Sequence, residues 1–263
     1  MKDSFRFRSI HSKRGIRNGI FAAFDSCQGW IAAALIGILT ACVAFLVDVA
    51  EATVSDWKLG YCSINIFWNR ESCCTDRMPL GTTKPNLGEG CEEWHMWAFG
   101  FWGSFGIYVG FALAFGIISS SITMFTKSTL PVAAPGHGDK HRGSIQGSDQ
   151  GVVGKSMYLA AGSGIPEIKT ILSGFVIPHY LDFKVLAIKA IGAVFAVATG
   201  MCLGKEGPFV HISTCVAYLV GMLFPKYREN GRKMRELLSA GCSAGLSVAF
   251  GAPIGGVLFS YEV

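Results

Sequence analysis

The sequence predicts an all-α, polytopic membrane protein built of broken and tilted helices. Hydrophobic residues make up 51% of its 263 residues and charged residues only 16%. The mean hydropathy is +0.41, which is too apolar for an ordinary soluble domain. The 33 glycines and the 12% of aromatic residues suit close helix packing and interfacial anchoring in a lipid bilayer. The formal charge of +5 indicates basic residues flanking a membrane rather than a nucleic-acid surface.

Two segments are long and apolar enough to cross a bilayer, which requires roughly 20 residues. Gly29 to Ala50 contains one charged residue, Asp48, and Trp94 to Thr126 contains no Asp, Glu, Lys or Arg. The second exceeds the required length, which predicts a tilted helix. Glycine and proline interrupt three further apolar segments, and Pro253 divides the last of them. We expect broken helices there; the segments are Val185 to Leu203, Phe209 to Phe224 and Leu237 to Tyr261.

Loop charges predict the orientation. Residues 1–28 are basic, whereas the loop 51–93 has four basic and seven acidic residues. Basic residues accumulate on the cytosolic side of membrane proteins, so we expect residues 1–28 in the cytosol and the loop 51–93 in a lumen. Residues 131–155 are rich in glycine and polar residues, which predicts a flexible cytosolic linker. Residues 29–263 would then form the transmembrane domain.

The predicted lumenal loop contains four of the nine cysteines, Cys62, Cys73, Cys74 and Cys91. An oxidising compartment would permit two disulfides, with the adjacent Cys73 and Cys74 each joining a different partner. A zinc site is the weaker interpretation, because adjacent cysteines seldom both bind one metal and the loop has no Cys-x-x-Cys spacing. Free thiols remain the other alternative.

The first motif that indicates chemistry is Gly162-Ser163-Gly164-Ile165-Pro166. Pro166 suits a first helical turn and Ser163 suits a helix cap, so we predict a helix that runs to about Leu172. The start of such a helix presents unpaired backbone N–H groups and the positive end of a dipole, and the Ser163 hydroxyl adds a donor. The motif therefore predicts an anion site, although a common turn remains the simpler alternative.

The second motif is the segment Gly200 to Pro208, which lies between two apolar segments. Glu206 is costly in a membrane unless it faces a polar cavity or has a function. We expect Pro208 to open a helix that begins after Glu206. The phosphate-loop pattern does not match, because Thr199 and Glu206 stand where it needs glycine and Ser or Thr. His211 is interpreted as a hydrogen-bonded packing residue, and Lys189 has no assigned role.

These two motifs and the segment Gly251 to Ser260 resemble the CLC family of chloride channels and chloride/proton exchangers, most closely its eukaryotic intracellular branch. The amino-acid sequence of Phe175 to Lys184 resembles that of fungal members of the family. The resemblance implies about one of the two inverted repeats of the CLC fold, with Glu206 as the gating and proton-transfer glutamate. The chloride-binding positions that it implies are Gly162, Ser163, Gly164, Ile165, Pro166, Gly204, Lys205, Gly207 and Pro208.

The same resemblance implies a transporter rather than an enzyme, with chloride as ligand, no cofactor and a homodimeric full-length parent in a Golgi, endosomal or vacuolar membrane. Channel and exchanger both remain open. We expect the second repeat and the cytosolic cystathionine-β-synthase-type domains of eukaryotic members to be absent from these 263 residues. The alternative interpretation is a fragment that transports nothing or acts as an interaction partner.

Overall fold

The computed structural model describes residues 16–75, 91, 93–129 and 156–262. The predicted cytosolic linker 131–155 and most of residues 1–28 lie outside these ranges. The described part is mostly helical and adds two small antiparallel hairpins that an all-α prediction does not include. Its helices are α1 (Ile16–Asp56), α2 (Arg70–Thr75), α3 (Phe101–Met124), α4 (Ile165–Leu172), α5 (Phe183–Ala198), α6 (Glu206–Leu223), α7 (Pro225–Arg228), α8 (Gly231–Phe250) and α9 (Pro253–Glu262).

The four strands are three residues long and form two separate pairs. Strands β1 (Gly60–Cys62) and β2 (Trp94–Met96) pair with Tyr61 opposite His95. Strands β3 (Lys127–Thr129) and β4 (Ser156–Tyr158) pair with Ser128 opposite Met157. The first pair corrects the predicted span Trp94 to Thr126, because residues 94–96 take their hydrogen bonds from β1 and the helix begins only at Phe101.

Three described helical segments are long and apolar enough to cross a membrane: Cys27–Asp56, Phe101–Met124 and Glu206–Leu223. The predicted Gly29 to Ala50 lies inside the first of them. Helix α3 leaves most of its apolar side chains exposed, among them Leu113 and Ile117, as expected for a helix that faces lipid. Helix α6 differs, since Val210, Ile212 and Cys215 are almost completely buried.

Helix α6 is the centre of the packed core and contacts α1, α5 and α8. Small residues allow α8 to approach it closely. A Cβ added to Gly245 would lie 2.8 Å from the Phe209 carbonyl oxygen, and one added to Gly241 would collide with Ala217. Glycine therefore sets the distance between these two helices, as it does in many membrane helix pairs.

The broken helix near the end of the chain was predicted in the right place. Helix α8 ends at Phe250, Gly251 follows with φ +61°, and α9 begins at Pro253. The predicted start at Leu237 was too late by six residues. Asn230 Oδ1 accepts hydrogen bonds from the Arg232 and Lys233 amides, which starts α8 within a charged stretch that apolar periodicity does not mark.

The cysteine-rich loop, residues 57–75, 91 and 93–97 of the described chain, is closed by two disulfides. One joins Cys62 to Cys73 and the other joins Cys74 to Cys91, so the adjacent cysteines bond to different partners. Two tryptophans connect parts of this loop to each other: Trp57 Nε1 donates to the Ile66 carbonyl, and Trp97 Nε1 donates to the Trp57 carbonyl, both at 2.8 Å.

Candidate anion site

The first half of the site is the turn from β4 into α4. Gly162 and Gly164 have φ values of +68° and +87°, a region that favours glycine. Helix α4 spans Ile165–Leu172 with Pro166 in its first turn, as predicted. The predicted cap was wrong: Gly164 is the N-cap and makes no side-chain capping bond. Within the described part, the Ser163 hydroxyl makes no hydrogen bond, and the side chain is exposed.

His211 and Tyr180 hold this turn from beneath. A Cβ added to Gly164 would lie 2.9 Å from His211 Nδ1, so only glycine fits. His211 is fully buried, stacks on the Tyr180 ring with centroids 4.2 Å apart, and its Nε2 donates to the Tyr180 carbonyl at 3.1 Å. Tyr180 OH donates to the Gly164 carbonyl at 3.4 Å. The interpretation of His211 as a hydrogen-bonded packing residue is confirmed.

The second half of the site is the start of α6. Helix α6 begins at Glu206, with Lys205 as its N-cap and Pro208 as its third residue, so it begins one residue earlier than predicted. The Glu206 carboxylate folds back over Gly204, where an added Cβ would collide with Oε2. This carboxylate is therefore an anion tethered at a helix N-terminus, where the dipole favours negative charge.

The two motifs meet at a single junction. A Cβ added to Gly207 would lie 2.6 Å from Ser163 Cβ and 3.2 Å from Ser163 Cα, so the first turn of α6 packs directly on the α4 turn. Ser163 and Glu206 both line a cavity of about 840 Å³. Two helix starts and one carboxylate thus meet at one cavity, an arrangement suited to an anion that binds and leaves.

The sequence and the fold of the chain match known proteins. The profile of the family "Voltage gated chloride channel" matches residues 151–263. The H(+)/Cl(-) exchange transporter 5 of Cavia porcellus is 38% identical over 273 residues, which cover 99% of this chain and 32% of the relative. Residues 151–263 therefore match the CLC family, and the whole chain is similar in sequence to exchange transporters of that family.

Further comparisons define how much of the CLC fold is present. The human H(+)/Cl(-) exchange transporter 3 is 38% identical over 275 residues, 99% of this chain and 29% of the relative. A crystal structure of a eukaryotic CLC transporter superimposes with a TM-score of 0.58 at 24% identity, covering 91% of this chain and 34% of that one. The chain therefore has a CLC fold and spans about a third of the length of the curated relatives it matches.

The structure brings together most of the predicted site residues. Those that line the cavity are Gly162, Ser163, Ile165, Gly204, Glu206, Gly207 and Pro208. Three predicted chloride-binding positions do not line it. Gly164 is covered by His211, and Pro166 lies on the exposed side of α4.

Lys205 is the third: its side chain pairs with α1, and its role in chloride binding stays a prediction. Its Nζ lies 2.8 Å from Asp48 Oδ1 and 3.9 Å from Glu51 Oε2 on α1. The ammonium therefore neutralises two carboxylates of α1 instead of facing the cavity. This pairing fixes the segment before Glu206 against the first helix.

Lys189 is a candidate site residue to which sequence reasoning assigned no role. It is only 4% exposed, lines the cavity, and its Nζ donates to three consecutive carbonyls, Ala160, Ala161 and Gly162. These carbonyl oxygens are directed at an ammonium rather than at the cavity, which makes the Ser163 turn more favourable for an anion. The sequence did contain a signal for Lys189: a lysine within an apolar helix usually has a polar partner or a function.

Proposed function

We propose that the full-length parent of this chain exchanges chloride for protons across an intracellular membrane. The observation that carries the proposal is the junction at which Ser163 contacts Gly207 and shares a cavity with Glu206. The names of the relatives, H(+)/Cl(-) exchange transporters, support the same class of transport and favour it over a non-transporting interaction partner. Golgi, endosomal and vacuolar membranes are the proposed locations.

Chloride would be held by the Ser163 hydroxyl and by backbone N–H groups around Gly164 and Ile165. Within the described residues the Ser163 hydroxyl makes no hydrogen bond, and Ile165 at the start of α4 lines the cavity. Both observations support this assignment, because a hydroxyl and the first N–H groups of a helix are donors that an anion can use. Lys189 would stabilise the turn from the opposite side. A dipole end supplies partial charge without a tight ion pair, so the anion can leave again.

Glu206 would act as gate and proton carrier. When ionised, its carboxylate competes with chloride for the same helix starts; when protonated, it loses its attraction to them and withdraws. One group then links proton occupancy to chloride passage. The full-length parent would supply the second repeat and, as a homodimer, a second pathway.

The basic experiment is reconstitution of the full-length parent in lipid vesicles. An inward chloride gradient is expected to drive protons out of the vesicles as chloride enters. A pH dye and a chloride electrode record the two fluxes. Chloride movement with no associated proton movement would indicate a channel instead of an exchanger. The absence of both fluxes from a folded parent would overturn the proposal.

Ser163→Ala is expected to alter anion selectivity while proton coupling remains. Removing a hydroxyl that donates to a charged ligand costs about 1.5–3 kcal/mol, so the preference for chloride over nitrate should fall roughly tenfold or more. Ser173→Ala is the matched control, because the Ser173 hydroxyl already donates to the Lys169 carbonyl on the far end of α4. Unchanged chloride/nitrate permeability in Ser163→Ala would remove Ser163 from the site.

The orientation of the cysteine-rich loop is tested by labelling intact vesicles whose cytosolic face points outward. Cys62, Cys73, Cys74 and Cys91 should resist an impermeant maleimide even after an impermeant reductant is added, because the membrane protects a lumenal loop. Detergent with reductant should expose all four. Labelling of these cysteines from the cytosolic side without detergent would invert the proposed topology.

A further inference from the structure

Lys58 is a buried cation to which neither the site nor the comparisons assign a role. It follows α1 at the base of the cysteine-rich loop and is 6% exposed. Its Nζ lies 3.5 Å from Tyr108 OH and 4.8 Å from the centroid of the Tyr108 ring. A Cβ added to Gly200 would lie 3.3 Å from this Nζ. The ammonium is therefore packed against the first residue of the segment that carries Glu206.

The charge of Lys58 is only partly compensated. Among the described residues, no carboxylate lies within 4 Å of its Nζ. The nearby Asp56 carboxylate accepts the Arg70 amide at 2.7 Å. One long contact to a hydroxyl and a cation–π contact offset part of the cost of burying an ammonium, but a buried charge normally requires an opposite charge as well.

A cavity of about 370 Å³ lies beside this ammonium. Lys58, Arg70 and Tyr108 line it together with aromatic side chains of the loop and of α3. A water molecule occupies about 30 Å³ in the liquid, so the cavity has room for a halide with part of its hydration shell. Within the described residues, the Arg70 guanidinium forms no ion pair, which leaves two cations available at one space.

We propose that Lys58 and Arg70 form an outer subsite for a small monovalent anion, occupied by chloride before it reaches the Ser163–Glu206 cavity. The proposal rests on the proposed chloride transport and deepens it. The loop 51–93 carries seven acidic and four basic residues, a net negative charge that repels anions. Two fixed cations at a concave site would raise the local chloride concentration at the segment leading to Glu206.

The test is the chloride dependence of transport by the full-length parent, with chloride varied on the side of the cysteine-rich loop. Lys58→Met is expected to raise the half-saturating chloride concentration about three- to tenfold, while maximal flux and the chloride/proton ratio stay at wild-type values. Lys58→Arg should restore most of the affinity, because it keeps the charge. Lys184→Met, which removes an exposed lysine at the start of α5, should match wild type.

A wild-type half-saturation in folded Lys58→Met would overturn the outer subsite while leaving the proposed function intact. Absence of coupled flux in the wild-type protein would instead contradict the proposed function. If Lys58→Met does not assemble, anomalous scattering from bromide in crystals of the wild-type protein tests whether the subsite binds an anion. Density within contact distance of Lys58 Nζ supports the subsite, and its absence at a bromide concentration that fills the central cavity rules it out.

Discussion

Replacing Glu206 by alanine in the full-length parent is expected to leave chloride flux in place and to abolish its coupling to protons. The change removes the tethered carboxylate that folds over Gly204, so nothing competes with chloride and nothing carries a proton. Loss of a positioned proton-transfer group should lower chloride-driven proton flux about 100-fold or more. Paired chloride and proton recordings from the same vesicles measure both effects, and voltage or pH gating should disappear with the coupling.

Two further variants serve as a mimic of the protonated state and as a control. Glu206→Gln should resemble Glu206→Ala, since the amide imitates a protonated carboxyl that cannot ionise. Glu236→Gln removes a carboxylate that is exposed on α8 and pairs with Arg232 at 3.5 Å, and it should leave both fluxes unchanged. Normal proton coupling in Glu206→Ala would show that another residue is the gate.

Gly164→Ala is expected to have the largest effect on stability. A left-handed backbone costs an alanine about 1–2 kcal/mol, and the collision of its Cβ with His211 adds about 1–3 kcal/mol of overpacking. We therefore expect the free energy of unfolding to fall by about 2–5 kcal/mol and chloride flux to be lost, because the displaced turn carries Ser163. Thermal unfolding followed by tryptophan fluorescence, together with chloride flux, measures the two consequences.

Gly251→Ala is the matched control for Gly164→Ala. Gly251 has φ +61°, and a Cβ there meets no atom within 4 Å, so only the backbone cost applies. His211→Ala combined with Gly164→Ala should recover part of the lost stability, because the colliding ring is removed. Equal destabilisation by Gly164→Ala and Gly251→Ala would mean that the His211 contact does not select glycine.

Local signals were sufficient for the start of α4 and for the break between α8 and α9. Pro166 and the glycines around it placed α4 correctly, and Pro253 placed the break between α8 and α9. Each of these features depends on the backbone preference of one or two residues. The Ser163 cap failed for a related reason: Gly164 takes the left-handed conformation, which makes Gly164 rather than Ser163 the last residue before the helix.

Contacts between distant segments could not be predicted from local patterns. Lys205 bonds to Asp48, 157 positions away, and Lys189 bonds to carbonyls 27 to 29 positions away. The strand at Trp94–Met96 likewise forms because β1 offers unpaired backbone groups. A single sequence marks these lysines as unusual within apolar surroundings, but only the folded chain identifies their partners.

The competition between Glu206 and chloride is tested most directly by measuring chloride binding to the purified full-length parent as a function of pH. Calorimetric titration of the wild-type protein should show chloride affinity rising as pH falls, because protonated Glu206 no longer occupies the helix starts. Glu206→Gln should bind chloride tightly at every pH. A wild-type pH dependence that persists in Glu206→Gln would contradict the assignment of Glu206 as the group that links protons to chloride.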